Sequence, residues 1–334
     1  MFVDSATAAQ AAEVDPEFSA RVTALLERIE GELMAAAAAD TAFATEAAQH
    51  IISAGGKRFR PVLVVLASML GERPADDSEV ARAAQVVELT HVASLYHDDV
   101  MDEAELRRGA PSANSRWGNN VAILVGDLLF SRASSIVATL GVEYVTLQAE
   151  TFARLVQGQL AETRGPQPGD DPLAHYLAVV ADKTGSLIAT SARFGGMVAG
   201  ASDEVLAALS AYGEEIGVVF QLSDDIIDIA SEVAGKTPGT DLRAGVPTLP
   251  TLLAQRSTDP SDARLLALLA GGIDDDAEVA EALGLLRAHP VLDEARAEVA
   301  RRADVARAHL APVPEGPAKD ALLALCDTVV TRSS

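Results

Sequence analysis

"SEVARAAQVVELTHVASLYHDDVMDEA", Ser78–Ala104, is the stretch on which the fold turns. Its apolar residues recur at helical spacing, which predicts one long helix, with Ser78 the expected N-cap and Glu79 in the first turn. The helix runs into Asp98, Asp99 and Asp102, a D-D-x-x-D pattern. Residues i and i+4 share a helix face about one turn apart, so Asp98 stacks over Asp102 with Asp99 beside it. Such crowded carboxylates repel one another unless a cation answers them. The chain makes the same investment twice, because "FQLSDDIID" repeats the spacing in Asp224, Asp225 and Asp228.

In a chain of net charge −23, one D-D-x-x-D reads as a solvated acidic face. A second copy, with basic residues near both, reads differently. Arg107 and Arg108 follow the first cluster, and Lys236 follows the second. "GGKRFRP" (Gly55–Pro61) and "DKTGS" (Asp182–Ser186) add cations beside glycine or small residues, as a closely approaching phosphate requires. Patches of hard oxygen ligands suit Mg²⁺ shared with a substrate's phosphates.

Outward from these clusters, helix follows helix. The expected spans are Glu17–Ala39, a buried helix over Pro61–Leu70, a helix ending at Gly141 as C′ residue, and then 142–162, 172–200, 203–230, 263–271, 277–287, 290–310 and 317–331. No segment has the pattern of a strand followed by a hairpin turn. No linker divides the chain, so the expectation is one all-α domain over 17–334, preceded by a flexible segment at 1–16.

Composition narrows the function. The 334 residues are 49% hydrophobic and 22% charged, ample for a core. The acidity excludes nucleic acid as a partner, since no basic stripe exists to neutralise phosphates. It also disfavours sustained binding to an anionic membrane, leaving only transient contact as a product departs. Cys326 is the only cysteine, so no intrachain disulfide can form, and a reducing compartment is expected. No apolar run approaches the ~20 residues of a membrane span, and the start lacks a signal-peptide pattern. The expected localisation is cytoplasmic.

The stretches "GGKRFRP", "THVASLYHDDVMDEAELRRG", "GDLLF", "KTGSL", "FQLSDDIID" and "GKTPGTDLRAGVPTLP" together resemble the trans-type polyprenyl diphosphate synthases, across nearly the whole chain. The resemblance implies a single bundle of mostly antiparallel helices around a central cavity, usually homodimeric. It implies head-to-tail condensation, in which an allylic diphosphate ionises, isopentenyl diphosphate attacks the cation and a proton leaves. Three Mg²⁺ ions are implied, held by Asp98 and Asp102 on one side and Asp224 on the other, with Asp99, Asp225 and Asp228 in support. Arg107, Lys183 and Lys236 would hold the allylic diphosphate. Gly56, Lys57, Arg60, His91 and Arg108 would bind isopentenyl diphosphate without metal. Thr184 and Gln221 would stabilise the cation with oxygen dipoles. His97 has no assigned role, and Glu103 and Glu105 are expected as solvated loop charges.

Product length falls to the positions before the first cluster. By resemblance, Ala93 and Ser94 face the growing chain, where aromatic residues would stop it early. Thr90 and Val87 continue the path, and Ile136 and Val137 on the facing helix are the expected floor. Val87 is roughly 16 Å from Asp98 at 1.5 Å per residue, which predicts a long all-trans product of about thirty to fifty carbons, of the kind used as a quinone side chain. Two alternatives remain. One is a short-chain farnesyl or geranylgeranyl diphosphate synthase. The other is a noncatalytic partner subunit, against which both complete clusters and all the named cations argue. Terpene cyclases share the first motif but not a second D-D-x-x-D.

Overall fold

The computed structural model describes residues 15–230, 239–273 and 275–332. The chain is helical nearly throughout. In order, α1 is Pro16–Ala36, α2 Ala42–Ser53, α3 Phe59–Ala67 and α4 Asp77–Met101. A two-residue pair, β1 (Leu106–Arg107) and β2 (Ala110–Pro111), follows, then α5 (Ala113–Trp117), α6 (Asn119–Val137), α7 (Val142–Arg164) and α8 (Pro172–Val180). A π-helical turn at Ala181–Gly185 joins α8 to α9 (Ser186–Val198), and α10 is Asp203–Ala230. Beyond it come α11 (Thr240–Ala244), α12 (Leu249–Ala254), α13 (Ala263–Leu269), α14 (Asp276–Ala288), α15 (Val291–His309) and α16 (Pro317–Thr331).

Local chemistry explains the starts. Asp15 accepts hydrogen bonds from the Glu17 and Phe18 amides, and Pro16 supplies a pre-set first residue, so α1 begins before the expected Glu17. Residues 1–14 lie outside the described set. Asp76, not Ser78, caps α4, accepting from the Ser78 and Glu79 amides. Gly141 does not close α6, which ends at Val137. Its carbonyl instead accepts from the Val145 amide in the first turn of α7. The expected helix 172–200 is broken by the π turn, and α2 went unforeseen.

A hairpin that the sequence reading excluded is present. Leu106 pairs with Pro111 and Arg107 with Ala110, antiparallel. Its two central residues, Arg108 and Gly109, have φ of 54° and 77°, the form that matches strand twist across a two-residue turn. Arg108 lacks glycine's freedom, which is why the turn escapes a search for Asn-Gly or Gly-Gly signals.

Two compact units divide the chain. One runs to Phe152 and takes in Leu187–Gly213 and Leu310–Ala324. The other comprises Ala153–Ser186, Glu214–His309 and the chain from Leu325. In the first unit α4 packs against α6, α1 and α3. Leu89, Val92, Ala93 and Tyr96 of α4 form a closed core with Ala122, Val125, Leu129 and Ala133 of α6. In the second unit α12 packs against α8, α14 and α15. By length and composition α6 and α10 could each cross a membrane, contrary to the count of uninterrupted apolar runs. More than half of the α10 window is buried inside the protein, as befits a core helix.

Candidate active site

The first unit gathers the first acidic cluster and an arginine-rich group. Asp98 and Asp99 lie in the last turn of α4, and Asp102 is its C-cap, its amide donating to the Asp98 carbonyl at 2.8 Å. Asp98 is half-buried and Asp102 exposed. Asp99 is buried, and Arg107 Nε donates to its Oδ1 at 2.6 Å. Burial raises the Asp99 pKa, opposed by Arg107. Asp99 thus braces Arg107, leaving Asp98 and Asp102 as the outward carboxylates.

Arg108 turns away from this cluster. Its guanidinium donates to the carbonyls of Ile51 (3.0 Å) and Gly55. Gly56 is needed there, since a Cβ would sit 2.9 Å from Arg108 Cζ. Burial pushes Arg60 down to about 10, with Glu88 opposing and Arg108 adding to the shift. Arg60 Nε makes no hydrogen bond. His91 is held well below its ordinary pKa by burial and then by Arg60, Arg108, Arg107 and Arg58. Burial and the field of four arginines keep this imidazole neutral, a cationic setting suited to an anion. Lys57 is exposed on the same loop.

Arg58 was missed by the sequence reading, and its partners explain why. It bonds to Glu30 at 2.7 Å and Glu88 at 3.1 Å, residues 28 and 30 positions away. It is a buried brace rather than a ligand. Among the described residues, three non-glycines have left-handed backbone: Arg58 (φ 49°), Glu103 (φ 49°) and Arg108 (φ 54°). All three flank the two loops of this site, where strain tends to concentrate. Glu103 and Glu105 are exposed, as expected. His97 is structural, with Nε2 donating to the Ile123 carbonyl at 3.1 Å and its ring against Phe130.

The residues expected from sequence to set product length are also in this unit. Ala93 is fully buried in the α4–α6 seam, where Gly126 allows contact, since a Cβ there would lie 3.2 Å from the Ala93 carbonyl. Ser94, Thr90 and Val87 are buried, as is Val137, and Ile136 packs on the same core. Gln148 of α7, not foreseen, donates to Thr90 Oγ1 at 3.3 Å.

The second unit gathers the other cluster. A cavity of about 490 Å³ is lined by Lys183, Thr184, Gln221 and Asp225, together with Tyr176 and Asp241. Asp225 is buried and saturated: Tyr176 Oη donates to it, as do the Leu249 amide (3.0 Å) and Gln221 Nε2 (3.2 Å). Burial nevertheless lifts it to about 6. Asp224 pairs with Arg332 at 2.6 Å, and Lys183 with Glu162. Lys236 lies outside the described residues.

Asp241 and Tyr176 were not singled out from sequence. Burial, then Asp228, Asp225 and Asp224, raises Asp241 to about 7, and its amide reaches Asp228 Oδ2 at 3.4 Å. Asp241 thus joins the three motif aspartates in one acidic field. Tyr176 stands seven residues before Lys183 on the same helical face, a spacing that could have flagged it. Among the described residues no three ligands converge on one metal position within the protein. The donor set fits a hard cation completed by substrate oxygens rather than a closed structural site.

Comparison with known proteins agrees with this geometry. The model of the polyprenyl synthetase family matches residues 41–286. Nonaprenyl diphosphate synthase of Mycobacterium tuberculosis is 51% identical over 320 residues, covering 95% of each chain. The crystal structure of geranylgeranyl pyrophosphate synthase from Corynebacterium glutamicum, complexed with calcium and isoprenyl diphosphate, shares 45% identity at a TM-score of 0.85, covering 95% of this chain and 98% of that one. That of a decaprenyl diphosphate synthase from Rhodobacter capsulatus shares 31% at 0.83, covering 98% and 99%. With these relatives and two acidic helix ends, the chain belongs to the polyprenyl synthetase family and is a trans-prenyltransferase of the all-α isoprenoid synthase fold.

Proposed function

We propose that the protein condenses isopentenyl diphosphate head-to-tail onto an allylic diphosphate, with Mg²⁺, to give a long all-trans polyprenyl diphosphate for use as a quinone side chain. The observation that carries the chemistry is the cationic group of Arg60 and Arg108 with neutral His91, Arg108 lying close against Gly56, separate from the carboxylates of Asp98 and Asp102. One diphosphate can be bound there by protein cations alone, while carboxylates hold the metal for the other. The long product is supported by the 51% identity to a nonaprenyl diphosphate synthase over almost the whole chain.

Asp98, Asp102 and Asp224 would hold the metal, three Mg²⁺ in all, and Asp241 joins Asp228 in supporting the second cluster. When bound, Mg²⁺ neutralises the departing diphosphate as a Lewis acid. The chain's own groups do the rest. Arg107, Lys183 and Lys236 orient the allylic diphosphate, while Lys57, Arg60 and Arg108 fix isopentenyl diphosphate through charge-assisted hydrogen bonds. Thr184 and Gln221 turn oxygen dipoles toward the allylic cation, and buried apolar walls exclude water from it. The proton lost after attack passes to the departing diphosphate, so no side-chain base is required.

One catalytic domain over 17–334, working as a soluble, cytoplasmic homodimer, completes the proposal. The deciding experiment incubates purified protein with farnesyl diphosphate, excess isopentenyl diphosphate and Mg²⁺, then separates the dephosphorylated products by reversed-phase chromatography. Products of about thirty to fifty carbons are expected from the roughly 16 Å path. Termination at twenty carbons or fewer favours the short-chain alternative. No condensation by folded protein leaves the noncatalytic subunit. EDTA should abolish the activity and Mg²⁺ restore it.

A further inference from the structure

Lys183 and Thr184 sit in the π turn at Ala181–Gly185, where the winding from α8 to α9 is broken. A π turn bonds its backbone less well than an α-turn and persists where its surroundings hold it. Here the holding group is visible. Arg154 of α7 donates Nε to Asp182 Oδ1 at 2.9 Å, and both terminal nitrogens to the Glu214 carboxylate of α10, each at 3.1 Å. Two glycines bring the backbones together around it. A Cβ on Gly158 would lie 3.0 Å from Asp182 Cβ and from the Lys183 amide nitrogen, and one on Gly185 would lie 3.1 Å from the Glu214 carbonyl. Lys183 and Thr184 line the 490 Å³ cavity, and Asp182 does not. The carboxylate gripped by Arg154 is thus on the residue next to the two that serve the cavity.

We propose that Arg154, by bridging Asp182 and Glu214, is a positioning residue that aims Lys183 and Thr184 and so sets affinity for the allylic diphosphate without touching it. This rests on the reading of Lys183 as an allylic diphosphate ligand. A purely structural bridge predicts something different. Side chains as exposed as Arg154 (40%), Asp182 (35%) and Glu214 (41%) form ion pairs that add little to stability. Their loss would then change neither thermal midpoint nor kinetics.

The test is Arg154→Met and, separately, Asp182→Asn, in the full-length protein. Each should raise the apparent KM for farnesyl diphosphate about tenfold or more, since small misplacement of a binding group is costly. The KM for isopentenyl diphosphate and the thermal midpoint should stay near wild type. In a Lys183→Ala background, Arg154→Met should add little further loss, because its effect runs through that lysine. An unchanged farnesyl diphosphate KM, an equal rise for both substrates, or full additivity with Lys183→Ala would overturn the proposal. Binding of inorganic pyrophosphate with Mg²⁺, followed by calorimetry, gives an arm independent of turnover. Weaker binding by both variants supports positioning, and wild-type binding counts against it. A wild-type protein that binds pyrophosphate but condenses nothing defeats the functional reading instead.

Discussion

At the scale of single residues, neighbours a few positions apart have been given different work. Asp98 carries no core packing, whereas Asp99 is buried against Arg107. Asp98→Ala should therefore keep the fold and cut turnover by about a hundredfold or more, the scale of losing several kcal/mol of charge stabilisation. Asp224→Ala should do the same. Circular dichroism checks the fold, and wild-type Mg²⁺-dependent turnover in either variant would remove those carboxylates from the metal site. Arg107 and Arg108 divide likewise, one bonded to Asp99 and the other packed on the Gly55–Gly56 loop. Arg108→Ala and Lys57→Ala should mainly raise the KM for isopentenyl diphosphate. Equal weakening of both substrates would count against that division.

His91 adds a pH dependence of known sign. Its folded pKa is depressed by burial and by four arginines. Below the unfolded value of about 6.5 the unfolded chain takes up a proton that the folded one refuses. Its contribution to stability is thus fully present above about pH 6.5 and is lost as pH falls toward the depressed value. A diphosphate arriving among those arginines reverses the local field and should raise the imidazole pKa. Calorimetric titration of isopentenyl diphosphate near pH 6, in buffers of different ionisation enthalpy, should show proton uptake that His91→Gln abolishes. Equal uptake in that variant would place the proton elsewhere.

At the scale of elements, the seams are set by glycines as much as by apolar stripes. Gly195 of α9 meets α3 so closely that a Cβ would fall 2.3 Å from the Val64 carbonyl and 2.8 Å from Ala67 Cβ. Backbone cannot swing aside as a side chain can. Gly195→Ala should cost about 2 kcal/mol or more, read as a lower urea midpoint, and an unchanged midpoint would mean the seam is slack. Such contacts are what the sequence conceals. The long helices were legible because caps, spacing and breakers are local: the spans expected at 203–230 and 317–331 match α10 and α16. The D-D-x-x-D patterns were legible for the same reason. Illegible were features fixed by distant partners. Arg58 depends on Glu30 and Glu88, Asp241 on three aspartates of another helix, and the π turn on Arg154 and Glu214. The hairpin was hidden because its left-handed position is held by an arginine.

At the scale of the whole molecule, burial leaves apolar side chains on α6 and on α7 unexplained by the monomer. Twelve large hydrophobic residues are exposed among the described residues, and seven of them lie on α6 and α7: Ile123, Leu124, Val142, Val145, Phe152, Val156 and Leu160. Along α7, residues 145, 149, 152, 156 and 160 fall at intervals of three and four, so they form one stripe on one face. Leu124 and Leu160 are each about two-thirds exposed. A chain of net charge −23 repels its own copies at long range, so an apolar stripe of this kind needs a short-range reason to exist. We propose that a second copy covers it, joined about a two-fold axis so that the same stripe serves both partners. The same cover would explain the apolar composition of α6, only a third of whose window is buried in the single chain. The expected outcome is a dimer at micromolar concentration in sedimentation equilibrium. Leu124→Glu combined with Leu160→Glu should yield a folded monomer, because desolvating two carboxylates per copy at the seam outweighs what the remaining stripe gains. A wild-type monomer at those concentrations, or a dimer that both glutamates leave intact, would show that this face is not where copies meet.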